Sequence, residues 1–433
     1  MLQTMNNPKV VGRLVSRYSG ALPYEMGILV VWLSIIFLPN LTGITALRYL
    51  AVLYFMSFLV LDAQRVWTGI RRSWIVMPLA IWGTFSMFWS PYPAAAFRVS
   101  LLIICSVLVT IVIGCRYSPR QFFKCVVIAG MIVTLYSATF LPTAHLGGPY
   151  SSKNYLAVHM LFAYIAFVAA AFDKNTPFLP SMLLLAFAGL AGFIIYQSDA
   201  VSSLLLMMGA TVVLIAVKWL FVGLSGLRGA RTLLFVVGSS IALLGALLFL
   251  NYLDPKVVDD FLALFGKDSS LTGRTDLWAA ARQIMVDHPI FGVGHEGFWQ
   301  YDVGAAQTLV ENDHKEFGTK LGFHSAYLET GAHLGYVGLG LFIMSVIWAT
   351  SVITLTFLRQ PTLVSGGFFT FMIVCLTSSF TESFLSGALN IPVTLFYGAA
   401  TMYSVWSEPR AVATLTARQM DNPQGRSIPL SGN

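Results

Sequence analysis

The sequence contains few charged residues. Only 10% of its 433 residues are Asp, Glu, Lys or Arg, whereas 57% are hydrophobic. Soluble domains carry roughly 25% charged residues, so this composition excludes a soluble globular protein. The apolar residues stand in long runs and do not alternate with polar ones, as they do in the strands of a membrane barrel. A helical membrane protein is the class that remains.

Cysteine is also scarce. The four cysteines are Cys105, Cys115, Cys125 and Cys375, and no two of them show CxxC spacing. All lie in or at the edge of apolar runs, which is typical of small buried residues. Walker A, GxSxG and dinucleotide-binding motifs are absent, and so the sequence indicates no cofactor.

What the sequence has in abundance is apolar runs of the length that a helix needs to cross a bilayer, roughly 20 residues. We therefore predict an all-α, polytopic membrane protein with about twelve spans. The predicted spans are 24–39, 44–62, 74–90, 95–114, 121–141, 155–172, 178–196, 200–221, 232–251, 325–358, 364–383 and 388–406. The tenth run is too long for one crossing, and we expect its first two turns to stand outside the hydrocarbon.

The basic residues predict the orientation. The N-terminal segment, the even-numbered connections and the C-terminal tail hold 17 of the 26 Lys and Arg residues, whereas the short odd-numbered connections hold only Lys153. Cytoplasmic loops are enriched in basic residues, so both termini are predicted to be cytoplasmic. The net charge of +7 thus reflects orientation and not nucleic-acid binding. The first span lacks a cleavage site and is read as retained.

One connection is long. Residues 252–323 carry six basic and eleven acidic residues, a density close to that of soluble proteins, and long structured loops are usually functional. The predicted domains are spans one to nine in 1–251, an extracytoplasmic helical loop in 252–323, spans ten to twelve in 324–407, and a disordered cytoplasmic tail in 408–433.

The stretch LTGRTDLWAAARQIMVDHPIFGVGHEGFW in this loop contains a candidate anion site. We predict a helix capped by Thr275 that ends near His288, before Pro289. Arg274 immediately precedes it, where the helix dipole is already positive. A phosphate held between the guanidinium and the free backbone N–H groups would explain this placement. Alternatively, Arg274 pairs with a carboxylate such as Asp276.

His324 is the candidate proton carrier, because it lies where the loop re-enters the membrane and histidine is the residue type most often used for proton transfer near pH 7. His333 follows nine residues later, about 900° around a helix, so we expect it to face the opposite way. The alternative for either histidine is a structural role. His295 and Glu296 lack the second histidine of a zinc helix, and so no metal site is predicted.

Further basic residues lie near the predicted outer face. Arg48, Arg98 and Lys153 suggest a basic funnel for an anionic group, since charges within spans are costly and by default functional. Snorkelling to lipid headgroups is the alternative. Asp199 could orient one of these cations. The predicted substrate-binding set is Arg48, Arg98, Lys153, Asn154 and Arg282.

Three stretches of this sequence are similar to the O-antigen ligase and Wzy-type polysaccharide polymerase superfamily, and within it most to exopolysaccharide polymerases of the succinoglycan type. They are LTGRTDLWAAARQIMVDHPIFGVGHEGF, FHSAYLETGAHLGYVGLGLF and KNYLA. The resemblance implies a GT-C-like, inverting, metal-independent glycosyltransferase whose donor is a glycan on undecaprenyl pyrophosphate. It implies that Arg274 holds the pyrophosphate and that His324 is the base or a pyrophosphate contact.

The resemblance also leaves alternatives. Family ligases carry an arginine in the outer turn between the spans that match seven and eight, where this sequence reads QSDAVSS without a basic residue. The polymerase is therefore preferred to a ligase that transfers a finished glycan to lipid A core or protein. A transporter or flippase is a third reading, which lacks support because no repeated halves are evident. Chain-length regulators and export proteins are expected partners.

Overall fold

The protein is built from helices. The computed structural model describes residues 21–39, 43–223, 229–238, 240 and 274–420, with the backbone alone for 407–420, and no strand occurs among them. The helices of the first part are α1 (Pro23–Phe37), α2 (Thr45–Leu61), α3 (Ala63–Arg72), α4 (Met77–Phe85), α5 (Pro93–Arg116), α6 (Pro119–Ala138), α7 (Lys153–Ala171), α8 (Phe178–Gln197), α9 (Val201–Ala216) and α10 (Gly229–Gly238). Those of the second part are α11 (Arg274–Asp287), α12 (Gly304–Asn312), α13 (Ala326–Arg359), α14 (Leu363–Ser378) and α15 (Ile391–Met420).

The helices confirm an all-helical membrane protein but not the number of spans. Within the described residues, six helices are long and apolar enough to cross a membrane, or seven if α2 and α3, which meet at 99°, form one span. Other predicted spans correspond to shorter helices, such as α1 with 15 residues and α14 with 16. Twelve spans therefore stay a prediction. Most of the ninth span and of the loop before Arg274 lies outside the described residues.

Helix α7 lies at the centre of the bundle. Fourteen of its 19 residues are buried, and it packs against α6, α8, α9 and α14. Small residues bring these helices close together, because Gly130 of α6 lies against Ala163 and Gly367 of α14 lies against Ala169. Membrane helices associate through such close packing. The first residues of α7 are thereby held rigidly against the ends of the neighbouring helices.

Charged side chains gather at one end of the bundle. Arg116 at the end of α5 binds the fully buried Glu25 at 2.7 Å and Asp62 at 3.1 Å. Arg72 donates to the carbonyl of Ser404 at 2.7 Å. All of these positions were predicted to face the cytoplasm. The ion pairs offset the cost of burying these charged side chains. A different group of polar residues lies at the opposite helix ends.

Helix α13 is broken at Gly335, whose φ is 66°. A turn from the preceding loop satisfies the freed backbone carbonyls: Val293 N donates to Ala332 O at 3.0 Å and Gly294 N to His333 O at 2.8 Å. A Cβ at position 335 would overlap the carbonyl of Ile290. Irregular backbone at membrane depth needs such partners within the protein. The break divides α13 near the point where the sequence predicted it to leave the hydrocarbon.

The C-terminal segment after residue 407 contains more helix than predicted. Helix α15 extends to Met420, whereas the sequence predicted a disordered tail from residue 408. Residues 421–433 lie outside the described residues.

Candidate active site

Arg274 and Glu382 form a buried ion pair. Arg274 Nη2 donates to Glu382 Oε1 at 2.6 Å, and the two side chains are 13% and 7% exposed. Helix α11 supplies the arginine, and the short segment between α14 and α15 supplies the glutamate. The predicted alternative, a carboxylate partner, is therefore correct in kind, but the partner is Glu382 and not Asp276. Arg274 is itself helical, so Thr275 lies within α11 and does not cap it.

His324 binds the same carboxylate. Its Nδ1 lies 3.3 Å from Glu382 Oε2, and its ring is about one third exposed, at 32%. An ionised carboxylate only accepts hydrogen bonds, so Nδ1 carries the proton and Nε2 keeps a free lone pair. His324 has φ 48° and stands just before α13. This backbone turn carries its side chain away from the helix axis and toward Glu382.

Asn154 completes the cluster at the start of α7. Its Nδ2 donates to Glu382 Oε1 at 3.3 Å. Glu382 thus joins side chains from three distant parts of the chain, and we name Arg274, His324, Glu382 and Asn154 the carboxylate cluster. These residues all belong to the end of the bundle opposite the Glu25–Arg116 pair.

Glu382 was missed in the sequence. The signal was present, because Glu382 is the only charged residue between Arg359 and Glu408. A lone acidic residue in an apolar stretch is costly to bury and functional by default. The basic residues alone predicted an anion site, and they give no indication of the carboxylate that binds Arg274 and His324.

A second carboxylate lies nearby. Glu329 Oε2 accepts from the backbone N of Phe323 at 2.6 Å and from Ser383 Oγ at 3.2 Å, and its Oε1 lies 3.5 Å from His333 Nδ1. His333 and His324 line one cavity. The expectation that they face opposite ways is wrong, because His324 precedes α13 and does not follow its helical period.

The cavity has a volume of about 380 Å³ and two chemically different ends. Charged and polar side chains line one end, among them those of His324, Glu382 and Glu329. Between α4, α5 and α15 it is lined mainly by apolar side chains, from Val99 to Ile111 along α5. The twelve helical steps from Val99 to Ile111 extend about 18 Å. The shape suits a molecule with a polar head and a long apolar tail.

The other predicted binding residues do not join the carboxylate cluster. Arg48 donates to the carbonyl of Pro39 at 2.8 Å. Arg98 and Arg282 are exposed, and Lys153 is partly exposed. None of these four is among the residues that line the cavity. Asp199 is exposed in a turn with φ 53°, and no ion pair joins it to a cation within the described part of the chain.

His295 faces the cavity beside His333, with their ring centroids 6.1 Å apart. Burial lowers the pKa of His295 to about 3, so it is neutral at physiological pH. Glu296 instead pairs with Lys320. Within the described residues, no group of three or more His, Cys, Asp or Glu side chains could hold a metal ion.

Comparison with known proteins identifies the family of this chain. A profile of the O-antigen ligase family matches residues 181–343, which include Arg274, His324 and the broken part of α13. The chain is also 30% identical over 312 residues to the exopolysaccharide production protein ExoQ of Rhizobium meliloti, an alignment that covers 68% of each protein. The predicted resemblance is thereby confirmed. The chain belongs to the O-antigen ligase and Wzy-type family, whose members are ligase- or polymerase-type membrane proteins that act on lipid-linked glycans.

Proposed function

We propose that the protein polymerises undecaprenyl-pyrophosphate-linked repeat units into an exopolysaccharide at the outer face of the bacterial inner membrane. The observation that carries the proposal is a cavity whose polar end is lined by His324 and Glu382 of the carboxylate cluster and whose other end is apolar. Arg274 is bound to Glu382 at that polar end. The apolar end suits an isoprenoid chain, and the polar end suits a pyrophosphate and the first sugars. The name of the relative, an exopolysaccharide production protein, favours polymer over a ligase product.

In this proposal Arg274 stabilises the leaving group. Glu382 engages Nη2, and the guanidinium has further N–H donors for the pyrophosphate. When the bond between the anomeric carbon and the phosphate oxygen breaks, the electron pair stays on the pyrophosphate. A cation fixed in a water-poor site lowers the energy of that developing charge. Arg274 supplies this charge, so the reaction as proposed needs no metal.

His324 is the proposed base. Its Nε2 takes the proton of the attacking sugar hydroxyl, and Glu382 stabilises the resulting imidazolium through Nδ1–H. The hydroxyl oxygen forms the new bond on the face opposite the departing pyrophosphate, so the anomeric configuration inverts. The acceptor hydroxyl belongs to another repeat unit in a polymerase, and to lipid A core or protein in a ligase.

A cell-free assay tests the proposal. Purified protein in lipid nanodiscs, given only lipid-linked repeat units, should produce a ladder of longer lipid-linked glycans on gels. Excess chelator should leave the ladder unchanged. A wild-type protein that extends no repeat unit, but transfers one to lipid A core when this acceptor is added in a second reaction, would replace the polymerase with the ligase.

The orientation is tested by cysteine labelling. Lys315 and Lys174 are both exposed, and they lie at predicted outer and inner positions. In a background that lacks the four native cysteines, an impermeant thiol reagent on spheroplasts should label Lys315→Cys and not Lys174→Cys. The reverse pattern would place the carboxylate cluster in the cytoplasm and contradict the proposed reaction site.

A further inference from the structure

We propose that the turn 292–299 and the broken part of α13 form a sugar subsite at the polar end of the cavity, for a neutral, hydroxyl-bearing ring of the glycan. The inference rests on the proposed function and specifies how that site would hold its substrate. It concerns Trp299, His333 and His295, to which the proposed reaction assigns no role.

The first observation is a pair of buried polar atoms that lack partners. Trp299 is 5% exposed and His333 is 8% exposed, and both line the cavity. Trp299 Nε1 and His333 Nε2 have no hydrogen-bond partner among the described residues. A buried polar group without a partner is costly, and nearly all such groups in proteins are satisfied. A ligand hydroxyl that reached them from the cavity would satisfy both.

The two atoms have complementary chemistry. The indole N–H of Trp299 only donates. His333 Nδ1 lies 3.5 Å from Glu329 Oε1, and with the ring proton on that nitrogen Nε2 is an acceptor. A sugar hydroxyl both accepts and donates, and it is therefore matched by this pair.

The surroundings favour a neutral ring over a phosphate. Trp299 and Phe323 pack with ring centroids 4.9 Å apart, and Trp299 offers the cavity an aromatic surface suited to the C–H groups of a sugar. The carboxylates of Glu296 and Glu329 line the same end, and Lys320 is already paired with Glu296. With Glu296 paired to Lys320, the carboxylate of Glu329 remains at this end and disfavours a diphosphate.

The subsite is fixed in position by backbone contacts. The turn is bound to the carbonyls of Ala332 and His333, and a Cβ at Gly292 would approach the His333 carbonyl carbon to 2.5 Å. With φ 65° at Gly292, a side chain there would also be disfavoured. The histidine and the tryptophan-bearing turn therefore keep one relative position, as a site for a rigid ring requires.

Binding measurements on the full-length protein in nanodiscs test the subsite. The probes are the repeat-unit oligosaccharide released from the cell's own polymer, free of lipid and phosphate, and inorganic pyrophosphate. Trp299→Phe keeps the aromatic ring and removes the N–H. It should weaken oligosaccharide binding roughly tenfold, as expected for a lost buried hydrogen bond, and leave pyrophosphate binding unchanged.

Trp278→Phe is the matched control. Trp278 Nε1 also lacks a partner among the described residues, but Trp278 does not line the cavity, so both affinities should stay at wild-type values. If Trp299→Phe does not fold, His333→Leu takes its place with the same expectation. Oligosaccharide that fails to bind the wild type, or that binds Trp299→Phe as well as wild type, overturns the subsite. A wild type that binds oligosaccharide but makes no polymer overturns the proposed function instead.

Discussion

Arg274→Lys should lower the rate of polymerisation by about 10²–10³, the loss expected when one oriented donor to a transition state is removed. Lysine keeps the positive charge beside the buried Glu382, but it loses the planar fork that binds two groups at once. The buried glutamate therefore keeps a counter-charge, and the protein should still insert. The measurement is the initial rate of glycan lengthening at matched protein levels.

Arg282→Lys is the control for this variant. Arg282 lies on the same helix and is exposed, so its replacement should change the rate little. Equal losses in the two variants would mean that α11 as a whole, and not the Arg274 guanidinium, matters for activity. Near-normal polymer from Arg274→Lys would leave the Glu382 ion pair as a purely structural contact.

His324→Ala should abolish most transfer while donor affinity stays nearly unchanged. General base catalysis typically contributes about 10²–10⁴ to a rate, and the donor is held chiefly by Arg274 and the apolar end of the cavity. Donor affinity and turnover should be measured separately. Parallel loss of both would make His324 a pyrophosphate contact, and loss of thermal stability alone would make it structural.

His288→Ala is the matched control, because His288 is exposed at the end of α11 and lies outside the cavity lining. His333 cannot serve this purpose, since it faces the same cavity as His324. The double variant Glu382→Gln with His324→Ala adds a further check. If Glu382 acts by orienting His324 and Arg274, the double variant should lose less than the product of the two single losses, because the two residues act as one unit.

The sequence predicted those parts of the site that a short stretch of neighbouring residues determines. Helix α11 was predicted to end near His288, before Pro289, and it ends at Asp287. Arg274 and His324 stood out because each lies at the boundary of an element. Both meet in the structure, but on a shared carboxylate that the sequence analysis did not consider.

Long-range neighbours could not be predicted in this way. Nothing in the spacing of Arg48 and Arg98 says which helix ends adjoin them, and the structure leaves both outside the carboxylate cluster. The predicted position of His333 relative to His324 was wrong, because the prediction assumed a rotation of 100° per residue from His324 onward. The left-handed backbone at His324 departs from that rule.

The break at Gly335 has a consequence for how the protein is made. A ribosome completes the turn at residues 292–294 before it reaches Ala332 and His333, whose carbonyls that turn will cap. The partner for the irregular backbone is thus already synthesised when α13 enters the membrane. Since an uncapped carbonyl is costly in hydrocarbon, the order of residues along the chain allows biosynthesis to proceed without exposing the break to lipid.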